Sequence, residues 1–227
     1  MTDSKIIVAI DSFDPAKANA ILAQLDPDLC KIKIGSVVYN ALGKSFLKNV
    51  SSRGFKIFLD LKLHDIPNTV HETILGFHDC DIEMLTVHLS GGEEMLKKAM
   101  LAGRSIHTKV IGVSILTSLE ESDTLALFGN NLDDQMGNLF KIATKANLDG
   151  IVCSPHELEM SKIILGSDAI KITPGIREIK VEDDQARTMS AKEAVEQGAT
   201  FLVIGRPIIQ APDISRALKN FSDSIEK

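Results

Sequence analysis

The chain has 227 residues, of which 44% are hydrophobic and 25% charged, and its formal net charge is −6. This negative charge argues against a nucleic-acid or anionic-membrane partner, because both need a basic surface. Nine Phe, one Tyr and no Trp also disfavour single-stranded nucleic acid, which binds by stacking its bases on aromatic rings.

The amino-terminal apolar run, Ile6–Ile10, is too short for a signal-peptide core or a membrane span, so we expect a cytoplasmic protein. The three cysteines, Cys30, Cys80 and Cys153, have neither a disulfide-framework nor a metal-site spacing. We expect them to be reduced thiols that lie mostly in the core.

Short β-rich runs alternate along the chain with segments of helical spacing. The Asp14-Pro15 pair predicts the start of the first helix, and Thr69-x-x-Glu72 predicts a capping box later in the chain. Apolar strands separated by helices indicate a parallel sheet covered by helices. The predicted strands are, in chain order, KIIVAID, CKIKIG, KIFLDLK, MLTVHLS, KVIGVSILT, DGIVCS, AIKITPG and TFLVIGR.

Eight such units within about 200 to 250 residues favour a closed (β/α)₈ TIM barrel. Because no linker interrupts the alternation, we expect an α/β fold with a single domain over residues 1–227. The alternative is a doubly wound open sheet, but the first turn reads DSFDPA and lacks the GxGxxG pattern of that fold.

Polar side chains follow most of the predicted strands, where the active sites of barrels are built. Each one alone has a local explanation as a turn former, a snorkelling lysine or a cap. Together their side chains would bury charge at one end of the barrel, which is costly unless the charges are paired or functional. These residues are Asp11, Lys33, Asp60, Lys62, His88, Thr117, Ser154, Arg177 and Arg206.

The segment FLDLKLHDIPNTV sets Lys62 between Asp60 and Asp65. Strand alternation predicts that Asp60 and Lys62 share one face, although a solvent-facing salt bridge is an alternative. Opposite charges favour the ammonium form, so we expect Lys62 to act as a proton donor rather than as a Schiff-base nucleophile. Asp60 would repel a substrate carboxylate, which predicts that an anion enters, CO₂ departs and Lys62 protonates the resulting carbanion.

The loops after the last two predicted strands are candidates for phosphate binding. Gly175 and Gly205 would let backbone N–H groups approach an anion and Arg206 offers a cation, although both glycines could simply turn the chain. Residues 176–185 have the length of a lid, with Arg177 or Gln185 able to reach a phosphate.

Other catalytic motifs are missing from the sequence, which has no GxxxxGK[ST], GxSxG or HExxH pattern. We expect His64, His71 and His78 to take surface or capping positions. His88 could either line the site or be a satisfied core histidine.

The motifs together resemble the orotidine 5′-phosphate decarboxylase family over nearly the whole chain. Asp60-x-Lys62-x-x-Asp65 alone is only moderately specific, whereas its combination with TPGIR and DDQ is highly specific. Pro207 departs from the Ser or Ala that is more usual after the Gly-Arg pair. The matching motifs are VAID, KIKIG, FLDLKLHDIPNT, VHLSGG, LTS, VCSPHE, TPGIR, DDQ and IGRPI.

The resemblance implies decarboxylation of orotidine 5′-monophosphate to UMP without a metal or an organic cofactor. It implies that Lys62 donates the proton, that Asp60 lies beside the departing carboxylate, and that the site is completed across a homodimer by the neighbour's Asp65 and Thr69. Ile66 is a further implied substrate contact. The implied substrate contacts are Asp11 and Lys33 at the ribose, Thr117, Ser154 and Pro155 near the pyrimidine, Gln185, Gly205 and Arg206 at the phosphate, and Arg177 supporting the lid.

Two alternatives stay open. One is a related Mg²⁺-dependent sugar-phosphate lyase, although such enzymes carry acidic ligands at the end of the second strand, where this chain has Lys33. The other is a catalytically silent nucleotide-binding barrel, against which the intact Asp60, Lys62 and Asp65 argue.

Overall fold

The computed structural model describes residues 4–177 and 189–226. Eight parallel strands form a closed barrel in which each strand pairs with its neighbours in the sequence and β8 pairs with β1. The predicted (β/α)₈ barrel is therefore confirmed. The strands are β1 (Ile6–Ile10), β2 (Lys31–Gly35), β3 (Ile57–Leu63), β4 (Met84–His88), β5 (Lys109–Val113), β6 (Gly150–Val152), β7 (Ile170–Thr173) and β8 (Phe201–Ile204).

Helices follow the strands around the outside of the barrel. Two short 3₁₀ turns, Leu89–Gly91 and Pro155–Glu157, come directly after β4 and soon after β6. The helices are α1 (Pro15–Leu22), α2 (Ser36–Ser52), α3 (Pro67–Leu75), α4 (Gly92–Ser105), α5 (Glu121–Phe128), α6 (Leu132–Lys145), α7 (Leu158–Leu165), α8 (Ala191–Glu196), α9 (Arg206–Ile209) and α10 (Ile214–Glu226).

Strand alternation divides the apolar residues into two cores. One set of side chains, such as those of Ile32 and Ile34, packs outward against the helices. A smaller cluster fills the middle of the barrel and separates its two ends. It consists of Ile7, Phe58, Met84, Ile111, Ile172 and Phe201.

The close packing of neighbouring strands requires a glycine at position 150, where β6 begins. A Cβ atom at this position would lie 2.2 Å from the carbonyl oxygen of Ile170 on β7. Only glycine lets these two strands approach so closely.

The sequence predicted one helix start correctly and another wrongly. Asp14 caps α1 by accepting hydrogen bonds from the backbone N–H groups of Ala16 at 2.8 Å and Lys17 at 3.3 Å, as expected. The capping box at Thr69 is wrong, because α3 already begins at Pro67, with Ile66 as its N-cap. Proline favours the first helical position, so Thr69 lies inside the first turn.

The fifth strand is shorter than predicted. It ends at Val113 rather than near Thr117, and Thr117 lies in a turn where the N–H of Leu119 donates to the carbonyl of Leu116 at 2.9 Å. Val113, Ile115, Leu116 and Thr117 line a cavity at this end of the barrel.

The three cysteines are free and buried, as predicted. Burial, reinforced by the negative charge of Asp26, raises the pKa of Cys30 to about 12. Within the described ranges, every helix is either too short or too polar to cross a membrane.

Candidate active site

A cavity of about 260 Å³ opens among the carboxyl ends of the barrel strands. This is the end of the fold at which barrel enzymes bind their substrates. The structure brings together ten of the polar and glycine residues singled out from the sequence, all of which line this cavity: Asp11, Lys33, Asp60, Lys62, Thr117, Ser154, Gly175, Arg177, Gly205 and Arg206.

A buried carboxylate lies at the centre of the charged wall. Asp60 is only 8% exposed, and its oxygens lie 2.8 and 2.9 Å from the Nζ of Lys62. The Nζ of Lys33 lies 3.4 Å from Asp60 and 3.8 Å from the more exposed Asp11. Two ammonium groups therefore share one buried carboxylate.

The pKa of Asp60 reflects this arrangement. Burial alone would raise it, but the charges of Lys33 and Lys62, with hydrogen bonds from Lys62 and Thr86, outweigh burial and hold it below its ordinary value. A carboxylate that accepts such bonds stays ionised at neutral pH.

Lys62 reaches Asp60 through an irregular backbone. Its φ angle is 53°, in the left-handed region, and the register between β3 and β4 shifts between Leu59 and Leu63. The prediction that Asp60 and Lys62 share one face of the strand is confirmed, because both line the cavity while Leu59, Leu61 and Leu63 pack in the outer core. The left-handed φ of Lys62 and the register shift were not predicted. In a regular parallel strand its N–H would donate to a backbone carbonyl.

Thr86 on β4 is a site residue that the sequence interpretation missed. It is fully buried, and its hydroxyl accepts a hydrogen bond from the N–H of Lys62 at 2.8 Å and donates one to Asp60 at 3.0 Å. The sequence did carry a signal for this role, because Thr86 is a polar residue on the inward face of a mostly apolar strand, two residues before His88.

The loop after β7 reaches the cavity through Gly175 and Arg177. Gly175 has a φ of 80°, which favours glycine, and the Nη1 of Arg177 donates to the carbonyl of Ile176 at 2.8 Å. The N–H of Arg177 also donates to the carbonyl of Met189 at 3.0 Å. Gln185 and most of the predicted lid lie outside the described residues.

The loop after β8 brings Gly205 and Arg206 against the end of β1. A Cβ atom on Gly205 would lie 3.6 Å from the Cβ of Ala9 and 3.9 Å from Oδ2 of Asp11. The short helix α9 begins at Arg206 with Pro207 in its first turn, so the Pro207 departure is compatible with the local helix.

The wall opposite the charged network combines apolar side chains with a few polar groups. Ser154 is 1% exposed; its N–H donates to Glu157 at 2.8 Å, whereas its hydroxyl has no hydrogen-bond partner within residues 4–177 and 189–226. Cys153 also lines the cavity, but burial and then the charge of Glu157 raise its pKa to about 12. Its thiol is therefore neutral and a poor nucleophile.

Among the residues that the structure describes, the implied substrate contacts Asp65, Ile66, Thr69 and Pro155 do not line this cavity. Asp65 is exposed and accepts a hydrogen bond from the N–H of Ile66 at 2.7 Å. Ile66 is 67% exposed, and Thr69 is exposed as well. Pro155 is buried at the start of a 3₁₀ turn beside Ser154.

His64 and His88 lie beside the charged network but do not line the cavity. The rings of His64 and His88 are 5.5 Å apart, and burial, followed by the charges of His64 and Lys62, lowers the pKa of His88. His64 and His78 are exposed as predicted, while His71 is half-buried beside Glu72. In the part of the chain that the structure describes, no three His, Cys, Asp or Glu residues form a metal-binding group.

The sequence and the fold were compared with those of known proteins. Residues 4–221 match the profile of the family described as "Orotidine 5'-phosphate decarboxylase / HUMPS family". The chain is 42% identical to the orotidine 5′-phosphate decarboxylase of Actinobacillus succinogenes, with 98% of each chain covered. It is 40% identical to that of Vibrio parahaemolyticus, with 99% of each chain covered.

A solved structure is similar in fold as well as in sequence. The crystal structure of orotidine 5′-phosphate decarboxylase from Lactobacillus acidophilus superposes with a TM-score of 0.87 at 32% identity, covering 99% of this chain and 100% of that one. The similarity therefore extends over the whole barrel and includes the strands that carry the charged network.

Proposed function

The chain belongs to the orotidine 5′-phosphate decarboxylase / HUMPS family, and we propose that it decarboxylates orotidine 5′-monophosphate to UMP in the cytoplasm, the last step of de novo pyrimidine nucleotide synthesis. The observation that carries the proposal is the buried carboxylate of Asp60 held between Lys33 and Lys62 beside the cavity. This arrangement suits a substrate that enters as an anion and develops negative charge on carbon.

The proposed chemistry uses only side chains of the protein. The substrate carboxylate lies near Asp60, and the resulting repulsion is relieved when the bond between C6 and the carboxyl carbon breaks. The electron pair stays on C6, CO₂ leaves, and an N–H of Lys62 gives its proton to C6. Solvent then returns a proton to the Lys62 amine.

The positive charge near the reacting carbon supports this order of events. Lys62 and Lys33 stand within 3.4 Å of the same buried carboxylate, so their charge lies close to the carbanion as it forms. Preorganised charges of this kind stabilise the transition state more than the ground state. Asp11 and Lys33 are proposed to hold the ribose hydroxyls.

The remaining contacts are assigned by the position of each residue in the family motifs. Gly205, Arg206 and Gln185 are proposed to bind the phosphate, with Arg177 supporting the segment that covers it. Thr117, Ser154 and Pro155 are proposed to lie along the pyrimidine. The cavity-lining positions of Gly205, Arg206, Thr117 and Ser154 support this assignment.

We also propose that the active form is a homodimer in which each chain gives Asp65 and Thr69 to its neighbour's site, with Ile66 between them as a further substrate contact. These residues do not line the cavity of their own chain. The large apolar side chain of Ile66, which is 67% exposed, is a reason to expect a covering partner surface.

The decisive experiment is a turnover assay after exhaustive EDTA treatment of the purified protein. We expect conversion of orotidine 5′-monophosphate to UMP to persist. Turnover that requires added Mg²⁺ and uses a sugar phosphate would instead support the metal-dependent lyase. UMP binding without any turnover would support a silent nucleotide-binding barrel.

The shared site can be tested by mixing two inactive variants, Lys62→Ala and Asp65→Ala. Hybrid dimers would hold one site with both residues intact, so we expect part of the activity to return. If hybrids form, as shown by differently tagged chains, and activity does not return, Asp65 does not serve the neighbouring site.

A further inference from the structure

The position of Lys62 depends on a backbone conformation that its own residue type disfavours. A lysine with a φ of 53° is uncommon, because its Cβ is crowded in the left-handed region. Such a conformation costs free energy and persists only where neighbouring groups fix it. Within the described residues, only His107 and Asn147 share this conformation among non-glycine residues, and neither lines the cavity.

The irregularity removes Lys62 from the ordinary strand ladder. Between Leu59 and Leu63 the pairing of β3 with β4 shifts its register, and the N–H of Lys62 donates to a side chain, Oγ1 of Thr86, at 2.8 Å. A buried N–H without an acceptor would be destabilising. The threonine hydroxyl therefore replaces the missing backbone acceptor.

The same hydroxyl also sets the direction of a second hydrogen bond. Because its oxygen accepts from Lys62, its one hydrogen is available for another acceptor, and it points to Asp60 Oδ1 at 3.0 Å. Thr86 is fully buried, so water does not compete for either bond. A single buried hydroxyl thus links the backbone of the lysine to the carboxylate that binds its ammonium group.

We propose that Thr86 is a positioning residue for catalysis, which holds Lys62 in its left-handed conformation and orients Asp60 so that the Lys62 ammonium group faces the reacting carbon. This inference rests on the proposed decarboxylation. Thr86 does not line the cavity, so it acts through Lys62 and Asp60 rather than on the substrate.

The test compares Thr86→Val, which keeps the shape and removes the hydroxyl, with Thr86→Ser, which keeps the hydroxyl. The matched control is Thr108→Val, because Thr108 is also buried and donates one hydrogen bond, to the carbonyl of Ile82 at 2.8 Å, away from the cavity. Turnover, UMP affinity and thermal stability are measured for all three variants and the unaltered protein.

For Thr86→Val we expect kcat to fall about 10- to 100-fold, as for the loss of hydrogen bonds near charged groups, with KM and UMP affinity within about threefold. The acidic limb of the pH profile should move to higher pH, because Asp60 loses a hydrogen bond that favours its charged form. Thr86→Ser should restore most of the turnover, and Thr108→Val should lower the melting temperature without changing kcat.

A kcat for Thr86→Val within about twofold of the unaltered protein, or a Thr86→Ser variant as slow as Thr86→Val, would overturn the inference.

A second readout does not depend on turnover. The Lys62 amide should exchange with deuterium much faster in Thr86→Val than in the unaltered protein, whereas its protection should be unchanged in Thr108→Val. If the unaltered protein does not decarboxylate the substrate, the proposed function fails, and an unchanged Lys62 exchange rate in Thr86→Val would separately refute the positioning role.

Discussion

Lys31 and Lys33 lie two residues apart on β2 and both point into the barrel, yet they serve its opposite ends. Lys31 lies at the amino-terminal floor, where its Nζ is 2.9 Å from a carboxylate oxygen of Glu83 and 5.0 Å from the ring centroid of Phe201. Lys33 lies at the carboxyl-terminal mouth and shares Asp60 with Lys62. The apolar cluster around Phe58 separates the two ends.

The difference lies in how the buried positive charge is compensated. At the floor, Lys31 is paired with Glu83. On the outer side of β7, the ammonium group of Lys171 donates to the carbonyls of Gly166, Ser167 and Ala169. At the mouth, two ammonium groups share one buried carboxylate beside an open cavity. Burial of a lysine therefore does not identify a site, whereas positive charge beside a cavity does.

The largest expected effect is on turnover in Lys62→Met, which keeps the length of the side chain and removes the charge. We expect kcat to fall by at least about 10³-fold, because both the proton donor and a stabilising charge are lost. UMP affinity should change by less than about tenfold, since the group acts mainly on the transition state. Steady-state kinetics and calorimetric titration with UMP measure the two effects, and near-normal turnover would exclude Lys62 as the donor.

The next effect should appear in stability rather than in activity. Lys31→Met leaves the half-buried Glu83 with the more exposed Lys109, whose Nζ lies 3.7 Å from its carboxylate. We expect a loss of about 3 to 5 kcal/mol in unfolding free energy. Turnover per folded molecule should be unchanged. The matched variant Lys33→Met should behave in the opposite way and lose turnover with a smaller loss of stability. Urea denaturation and steady-state kinetics measure both effects in both variants. If the two variants behaved alike, the proposed difference between Lys31 and Lys33 would be refuted.

A smaller loss of stability is expected for Lys171→Met. This substitution removes the donor to three backbone carbonyls, and we expect a cost of about 1 to 3 kcal/mol with unchanged kinetics. Lys162→Met, at an exposed position on the preceding helix, is the control and should stay within about 0.5 kcal/mol. A kinetic defect in Lys171→Met would show that the outer side of β7 is coupled to the site.

The smallest effect concerns the contribution of Asp60 to the unfolding free energy at acidic pH. The pKa of Asp60 in the folded protein lies below its ordinary value of 3.8, so the unfolded chain takes up this proton first as the pH falls. The stabilisation is fully present above the ordinary pKa and is lost as the pH falls through the lowered one. We expect the unfolding free energy of the unaltered protein to fall more steeply below pH 4 than that of Asp60→Asn. Equal slopes in denaturant titrations between pH 6 and pH 3 would contradict this.

The general form of the barrel was predictable because it depends on local patterns. Each strand is a short apolar run and each helix has its own spacing, so the eight units and the polar residues that follow them can be identified without tertiary contacts. The N-cap at Asp14 belongs to the same class, because its partners, Ala16 and Lys17, are two and three residues away.

The errors arose where a local pattern had a competitor. Thr69-x-x-Glu72 matches a capping box, but Pro67 two residues earlier is better suited to start the helix. Strand alternation correctly predicted that Asp60 and Lys62 share one face, but it did not reveal the register shift against β4 or the left-handed φ of Lys62. The motifs that resemble the family identified the pair without revealing this geometry.

The sequence by itself determined the alternation of strands and helices and the residue types at the strand ends, since these follow from the periodicity and chemistry of neighbouring residues. Only the tertiary structure decided that Thr86, 24 residues beyond Lys62, holds that lysine in a left-handed conformation, and that Lys31 and Lys33 have different partners. The physical reason is that these contacts join strands that become neighbours only when the barrel closes, so no local preference specifies them.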